Sequence, residues 1–262
     1  MVYPYPSRRV AVWCNGVSLT DAVPLVIVKN VYEDDPERDL MTGERPGSPG
    51  MRLLYNKRTQ LIVRVEFVIR EIHDLTARAM ALQAVNAWAQ DGVLACSNRP
   101  DQYLQCVVSQ RPALGAVRDY TQLFTVEFTA VSCPYWQAQQ ADTGTGSGTS
   151  GSVEITPAGT VARVPLTFSV SPASGTLTAF SATANGKTMA FSGLSVASTS
   201  ALQLSYNEHM IQLITASGAS AIGKRTAASA DDLFLIPGQV NTVTWTADVS
   251  SSVEFAARGL YE

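Results

Sequence analysis

The sequence has little charge and few of the residues that enzymes use most for catalysis. Of its 262 residues, 16% are Asp, Glu, Lys or Arg, and two are histidines, His73 and His209. The net charge of −3 argues against a general nucleic-acid binder, because such proteins are usually clearly basic. No apolar run approaches the roughly 20 residues that span a bilayer, and no N-terminal stretch fits a signal peptide. The chain is therefore expected to fold in a cytoplasm, without membrane insertion.

Motifs for catalysis, metal ions or cofactors are also missing. No Gly-x-Ser-x-Gly elbow supports a Ser-His-Asp hydrolase, and no pair of acids is spaced as in a glycosidase. The cysteines show neither a CxxC pair nor a zinc-type spacing with histidine, which favours buried, reduced thiols. They are Cys14, Cys96, Cys106 and Cys133. The sequence therefore predicts no enzyme, no metal site and no cofactor.

The composition changes near residue 140. Before it lie 14 of the 19 Lys and Arg residues and 14 of the 22 Asp and Glu residues. Residues 141–152 are rich in Gly, Ser and Thr and offer little to pack, which predicts a flexible linker. The length suits two domains of about 100–150 residues each. The predicted organisation is a module at 1–140, a linker at 141–152 and a module at 153–262.

The N-terminal module is predicted to be α+β. Residues 61–71 alternate between apolar and charged side chains, which indicates a strand with one buried face. A helix follows, capped by Asp74 and ended near Gly92. Its apolar surface is wider than one sheet contact requires. Two interpretations stay open: a helix deep in a groove of its own domain, or a helix between its own sheet and a neighbouring subunit.

Residues 33–50 are polar and rich in Gly and Pro, which predicts a long loop without regular structure. Loops of this length inside compact domains are usually functional or mobile. The acidic residues lack the spacing of a calcium-binding loop. The loop is either solvated or meets basic residues of a neighbour. Its candidate contact residues are Glu33, Asp34, Asp35, Glu37, Arg38, Asp39 and Arg45.

The C-terminal module reads as about eight short strands without a helix. Turn signals separate them at short intervals, and Asn185-Gly186 is the most specific of these. The pattern predicts a β-sandwich or a jelly roll. A sandwich that binds glycans needs an exposed aromatic side chain, and the candidates are Tyr206, Trp245 and Tyr261. Because Trp245 lies in an alternating strand, core packing is the better interpretation for it.

The order of these modules resembles the distal tail proteins of long-tailed bacteriophages, the hub family at the tail tip. In the first module the likeness rests on the strand at 61–71, the helix after it, and residues 120–136, which close on Cys133-Pro134-Tyr135-Trp136. In the second it rests on Ala184-Asn185-Gly186-Lys187, residues 234–243 and residues 253–261. Each pattern is weak alone, and their shared order over nearly the full length gives the likeness its specificity.

The resemblance implies a mainly β fold with one helix, in which a belt-like module forms a ring and a galectin-like sandwich projects outward. It implies a hexamer in the virion, at the tail tip between the tail tube protein and the baseplate or receptor-binding proteins. The loop at 33–50 is then expected to contact a neighbouring subunit or the tube. Two alternatives remain: an adhesin that binds host surface glycans, and a glycan hydrolase.

Overall fold

The chain folds as two units, Met1–Trp136 and Gln137–Glu262, each with its own core. The computed structural model describes residues 10–34, 37–44, 51–70, 74–113, 122–207 and 210–262, with the backbone alone for 37–44 and 51–57. Strands dominate both units. Among the described residues, one helix is longer than a single turn. The predicted mainly β fold with one helix is confirmed.

The first unit is built on antiparallel strands around an apolar core. Its helices are α1 (Leu19–Ala22) and α2 (Leu75–Trp88), and its strands are β1 (Val12–Cys14), β2 (Val17–Ser18), β3 (Val26–Glu33), β4 (Glu37–Glu44), β5 (Met51–Ile69), β6 (Gly92–Cys96), β7 (Gln102–Gln110) and β8 (Leu123–Ala130). Neighbours in space follow the order β3-β5-β8-β7-β6-β1-β2. β5 alternates as predicted, because its odd residues from Leu61 to Ile69 are buried.

Helix α2 begins where the sequence predicts. The Asp74 carboxylate accepts a hydrogen bond from the Thr76 N–H at 2.8 Å, which satisfies one of the unpaired donors of the first turn. The helix ends at Trp88, short of the predicted end near Gly92. The Trp88 ring meets Phe128 of β8 edge-on, with centroids 6.0 Å apart, and its Nε1–H donates to the Val17 carbonyl at 2.8 Å. These contacts fix one face of α2 against the sheet.

The prediction of an unstructured loop at 33–50 is wrong. β4 pairs with the first half of β5, from Glu37↔Gln60 to Glu44↔Met51, so this region is an antiparallel ribbon. Its sequence gives no strand signal because neither face of a two-stranded ribbon has to meet a core. In the sequence, Leu40 is next to Met41 and Leu53 is next to Leu54, so there is no apolar alternation to recognise.

The second unit is a two-layer β-sandwich. Its strands are β9 (Trp136–Ile155, from the last residue of the first unit), β10 (Val164–Pro172), β11 (Thr176–Ala184), β12 (Lys187–Ala197), β13 (Leu202–Tyr206), β14 (Gln212–Ala216), β15 (Ala219–Ser220), β16 (Phe234–Leu235) and β17 (Asn241–Tyr261), with a 3₁₀ turn at Ile222–Lys224. β17 pairs with β11 through its first half and with β10 through its second. The centre of the Phe168 ring in β10 lies 5.2 Å from that of Phe180 in β11 and 6.2 Å from that of Phe191 in β12. The layer that contains β10 therefore faces the layer that contains β11 and β12.

The prediction of a flexible linker at 141–152 is also wrong. These residues lie inside β9, which pairs with β17. Glycines alternate with exposed Thr and Ser along this stretch. This is the two-residue period of a strand, with glycine at the positions where apolar residues are usually found. The boundary of the second unit falls before this segment, at Gln137.

Candidate functional site at the base of the arm

The arm, defined here as residues 37–44 and 51–60, is the ribbon of β4 and the first half of β5. Strand β8 joins β5 only from Leu61 onward, at Leu61↔Ala130. Within the described part of the chain, residues 51–60 pair with β4 alone. Ten residues of strand extend about 33 Å. A two-stranded ribbon is marginally stable by itself, and its outer edges carry unpaired backbone groups.

One cluster of side chains fixes the point where β3 leads into the arm. Arg99 donates two hydrogen bonds to the Glu33 carboxylate, from Nε at 2.9 Å and from Nη2 at 2.7 Å. The Trp136 indole N–H donates to the same carboxylate at 3.1 Å. The Arg99 guanidinium also lies 5.7 Å from the centre of the Trp136 ring. Since Trp136 is fully buried, Glu33 is held by charge, hydrogen bonds and packing together.

A second cluster lies beside it on the other face of the sheet. Arg64 Nη1 donates to Asp34 at 2.9 Å and Arg64 Nε donates to Glu127 at 2.6 Å. Arg64 and Glu127 are directly opposite on β5 and β8. The hydrogen bond with Glu127 is the main cause that raises the pKa of Arg64. The arginine side chain is 41% exposed, so this network orients the chain more than it stabilises it.

The structure separates the predicted contact residues of this region. Glu33 and Asp34 lie at the base of the arm, where they pair with arginines of their own unit. Their pairing with a neighbour's basic residues is thus not supported. Glu37, Arg38 and Asp39 lie on β4, where only the backbone is described, and Asp35 and Arg45 lie outside the described residues.

Sequence reasoning missed most of the partners at the base. Arg99 and Trp136 stand 66 and 103 residues from Glu33 in the chain, and no local pattern links such positions. The alternation predicted for residues 61–71 places Arg64 on the charged face of its strand, and its position opposite Glu127 agrees with that. The sequence indicates that charged face, but it does not indicate which strand pairs with it.

All four cysteines are buried and none forms a disulfide, as the spacing predicted. Burial raises the pKa of Cys96 to about 12 and that of Cys133 to about 11. Neutral thiols of this kind are poor nucleophiles and poor metal ligands. In the part of the chain that the structure describes, no group of His, Cys, Asp and Glu could hold a metal ion. No helix within the described ranges is long and apolar enough to cross a membrane.

The candidate glycan contacts do not form one surface. Trp245 is 2% exposed and belongs to the sandwich core, so it cannot stack on a sugar in this conformation. Tyr206 is half-buried, its hydroxyl accepts a hydrogen bond from Gln212 at 3.4 Å, and burial raises its pKa. Tyr261 is half-buried at the end of β17.

Comparison with known proteins identifies the fold. No family model and no curated protein matches the chain. Among solved structures, the chain is similar to the crystal structure of the SPP1 Dit (gp 19.1) protein, with a TM-score of 0.69 and 15% identity. The match covers 95% of this chain and 98% of that one. The fold is that of SPP1 Dit. At this identity the likeness to SPP1 Dit establishes architecture alone.

Two structures of the phage p2 baseplate in its activated conformation are more distant. Their TM-scores are 0.47 and 0.43, each with 8% identity. They cover 95% and 90% of this chain, and 97% and 90% of their own chains. At these scores they add nothing to the assignment that SPP1 Dit supports.

Proposed function

We propose that this chain is a structural protein of a phage tail, the distal hub of the tail tip. In this proposal six copies form a ring that joins the tail tube to the baseplate or receptor-binding proteins. The observation that carries it is the SPP1 Dit fold over nearly the full length of both chains. That protein is described as a paradigm of the hub adsorption apparatus in phages that infect Gram-positive bacteria.

The arm supports the proposal. Within the described residues, the strand pairing of residues 51–57 is with β4, and the edges of such a ribbon pair readily with another chain. The Glu33 and Arg64 clusters hold the direction in which the chain enters the arm. An arm with a fixed base and open edges suits contact with a neighbouring subunit or with the tube.

Helix α2 supports the second of the two interpretations of its wide apolar surface. Trp88 and Leu82 are buried against the unit's own core. Leu75 and Met80 face outward and are 61% and 64% exposed. Large apolar side chains in this exposed position suit a neighbour's surface, which in a ring would be the next copy.

Mass measurement in solution tests the proposed ring. Six copies of the 28.0 kDa chain would give a particle of about 168 kDa, that is six times 28.0, by light scattering after gel filtration. Assembly is expected to be concentration-dependent, since association follows mass action. A mass of one or two chains, alone and after co-expression with the tail tube protein, would count against a self-assembled hub.

The glycan-binding alternative has weaker support. Of its three aromatic candidates, Trp245 is buried, and Tyr206 and Tyr261 are each half-buried. A glycan array with the full chain separates the alternatives, because a purely structural hub should give no specific signal.

A further inference from the structure

The glycine-rich part of β9 folds back on itself. A Cβ atom on Gly144 would lie 3.0 Å from Ile155 Cγ1 and 3.2 Å from Val153 Cβ. Nine residues of straight strand would separate Gly144 from Val153 by about 30 Å, so the chain must reverse between them. Gly148 stands midway with a φ of +125°, a conformation that glycine adopts easily.

The folded-back segment lies directly on a buried tryptophan. Cβ atoms on Gly146 and Gly151 would come within 3.2 and 3.1 Å of Trp245 Nε1. The indole beneath is 2% exposed. A Cβ atom at either position would be a tight contact, so the indole or the segment would have to shift by a few tenths of an ångström. Thr145 and Ser147, between the glycines, are exposed.

Both ends of the segment are attached firmly. Before it, Arg258 Nη1 donates to the carbonyls of Ala138 and Gln139, each at 2.7 Å. After it, Ile155 is 3% exposed, and its carbonyl accepts a hydrogen bond from the buried Asn241 side chain at 3.3 Å.

The middle of the segment, residues 143–152, has fewer side-chain contacts than its two ends. None of its side chains is buried, and within the described parts of the chain none makes a hydrogen bond. The N–H of Trp245 beneath it is buried and has no acceptor among the described residues. An unmade hydrogen bond of this kind disfavours the covered state relative to an open one in which water pairs with the donor.

We propose that residues 143–152 form a strap that opens locally over Trp245 while its two ends stay attached. Opening gives up backbone pairing and glycine–indole contacts, and it exposes one aromatic face with one free donor. Segments with few buried contacts are those that open below the threshold of global unfolding. The strap is a property of the second unit and does not rest on the proposed hub function.

Hydrogen exchange and oxidative footprinting of the full chain, both resolved by mass spectrometry, test the strap. Amides of 143–152 should exchange at least about a hundredfold faster than those of 166–170 and 253–257. The oxidation rate of Trp245 should rise and fall together with the exchange rate of the strap amides. Gly146→Ala, which places a methyl group against the indole, should raise both rates about tenfold further. Ser147→Ala, an exposed neighbour, should change neither.

Three results would overturn the proposal. The strap amides could exchange no faster than those of β10 and β17, which would make opening global. They could exchange fast while Trp245 stays protected from oxidation, which would mean fraying of the tip alone. Gly146→Ala could increase the rate of amide exchange equally in the strap and in the core strands. If that variant does not fold, the first two readouts on the unchanged protein decide the matter.

Discussion

Neither the arm nor the strap shows the apolar alternation that predicts a strand. Both are nevertheless strands, for opposite reasons. The arm pairs β4 with the first half of β5, and in the proposed hub its edges serve a partner outside the unit. The strap at 143–152 lies on Trp245, in the core of its own unit. The contrast shows that a polar, glycine-rich stretch can be a surface for a partner or a fitted cover, and that the contacts beneath it distinguish the two.

The largest expected effect comes from removing the outer arm. Residues 40–56 would be replaced by Asn-Gly, a two-residue turn that joins Asp39 to Lys57, which are opposite each other in the ribbon. Oligomers should be lost in light scattering, while the melting temperature changes little, because the buried apolar residues of β5 start at Leu61. Oligomers that persist with unchanged mass would show that the arm is not an assembly element.

Trp245→Ala should destabilise the second unit by about 3–5 kcal/mol, the usual cost of truncating a buried large aromatic residue. Chemical denaturation followed by exchange of second-unit amides measures it. Thr244→Ala, exposed in the same strand, is the matched control and should cost little. A loss below about 1 kcal/mol would mean that the strap does not cover a packed core.

Glu33→Ala should destabilise the base of the arm by about 2 kcal/mol, because Arg99 and Trp136 lose their shared acceptor. Urea unfolding of the first unit measures the change. Glu66→Ala, which removes a carboxylate from the middle of β5, provides the comparison and should stay within about 0.5 kcal/mol. Equal effects of the two variants would remove the special role of the Glu33 cluster.

Gly151→Ala should give the smallest effect, about 1–2 kcal/mol, because the added methyl group meets the indole at close range and the strap must shift. Ser150→Ala, exposed beside it, should be neutral. Thermal unfolding of both variants provides the measurement. A neutral Gly151→Ala would show that the strap tolerates side chains and does not lie tightly on Trp245.

The parts of the fold that sequence predicts are those with local rules. Asn185-Gly186 forms the predicted two-residue turn, and Asn15-Gly16 forms another, with positive φ at all four residues. Asp74 caps its helix, and the alternation of β5 marks the core face. In each case the residue and its structural consequence lie within a few positions of each other.

The missed parts depend on partners far away in the chain. The strap reads as a strand only when Trp245, about a hundred residues later, is known to lie beneath its glycines. The base of the arm needs Arg99 and Trp136 to explain why Glu33 is not a free surface acid. The apolar residues of the arm are adjacent in the sequence, as at Leu40-Met41 and Leu53-Leu54, so no alternation marks its strands.

The account depends most on the first unit forming a ring. Electron microscopy of the full-length protein, with two-dimensional class averages, tests this directly. The account predicts a sixfold ring and its loss in the arm-shortened variant. Single chains only, or a ring unaffected by shortening the arm, would contradict it.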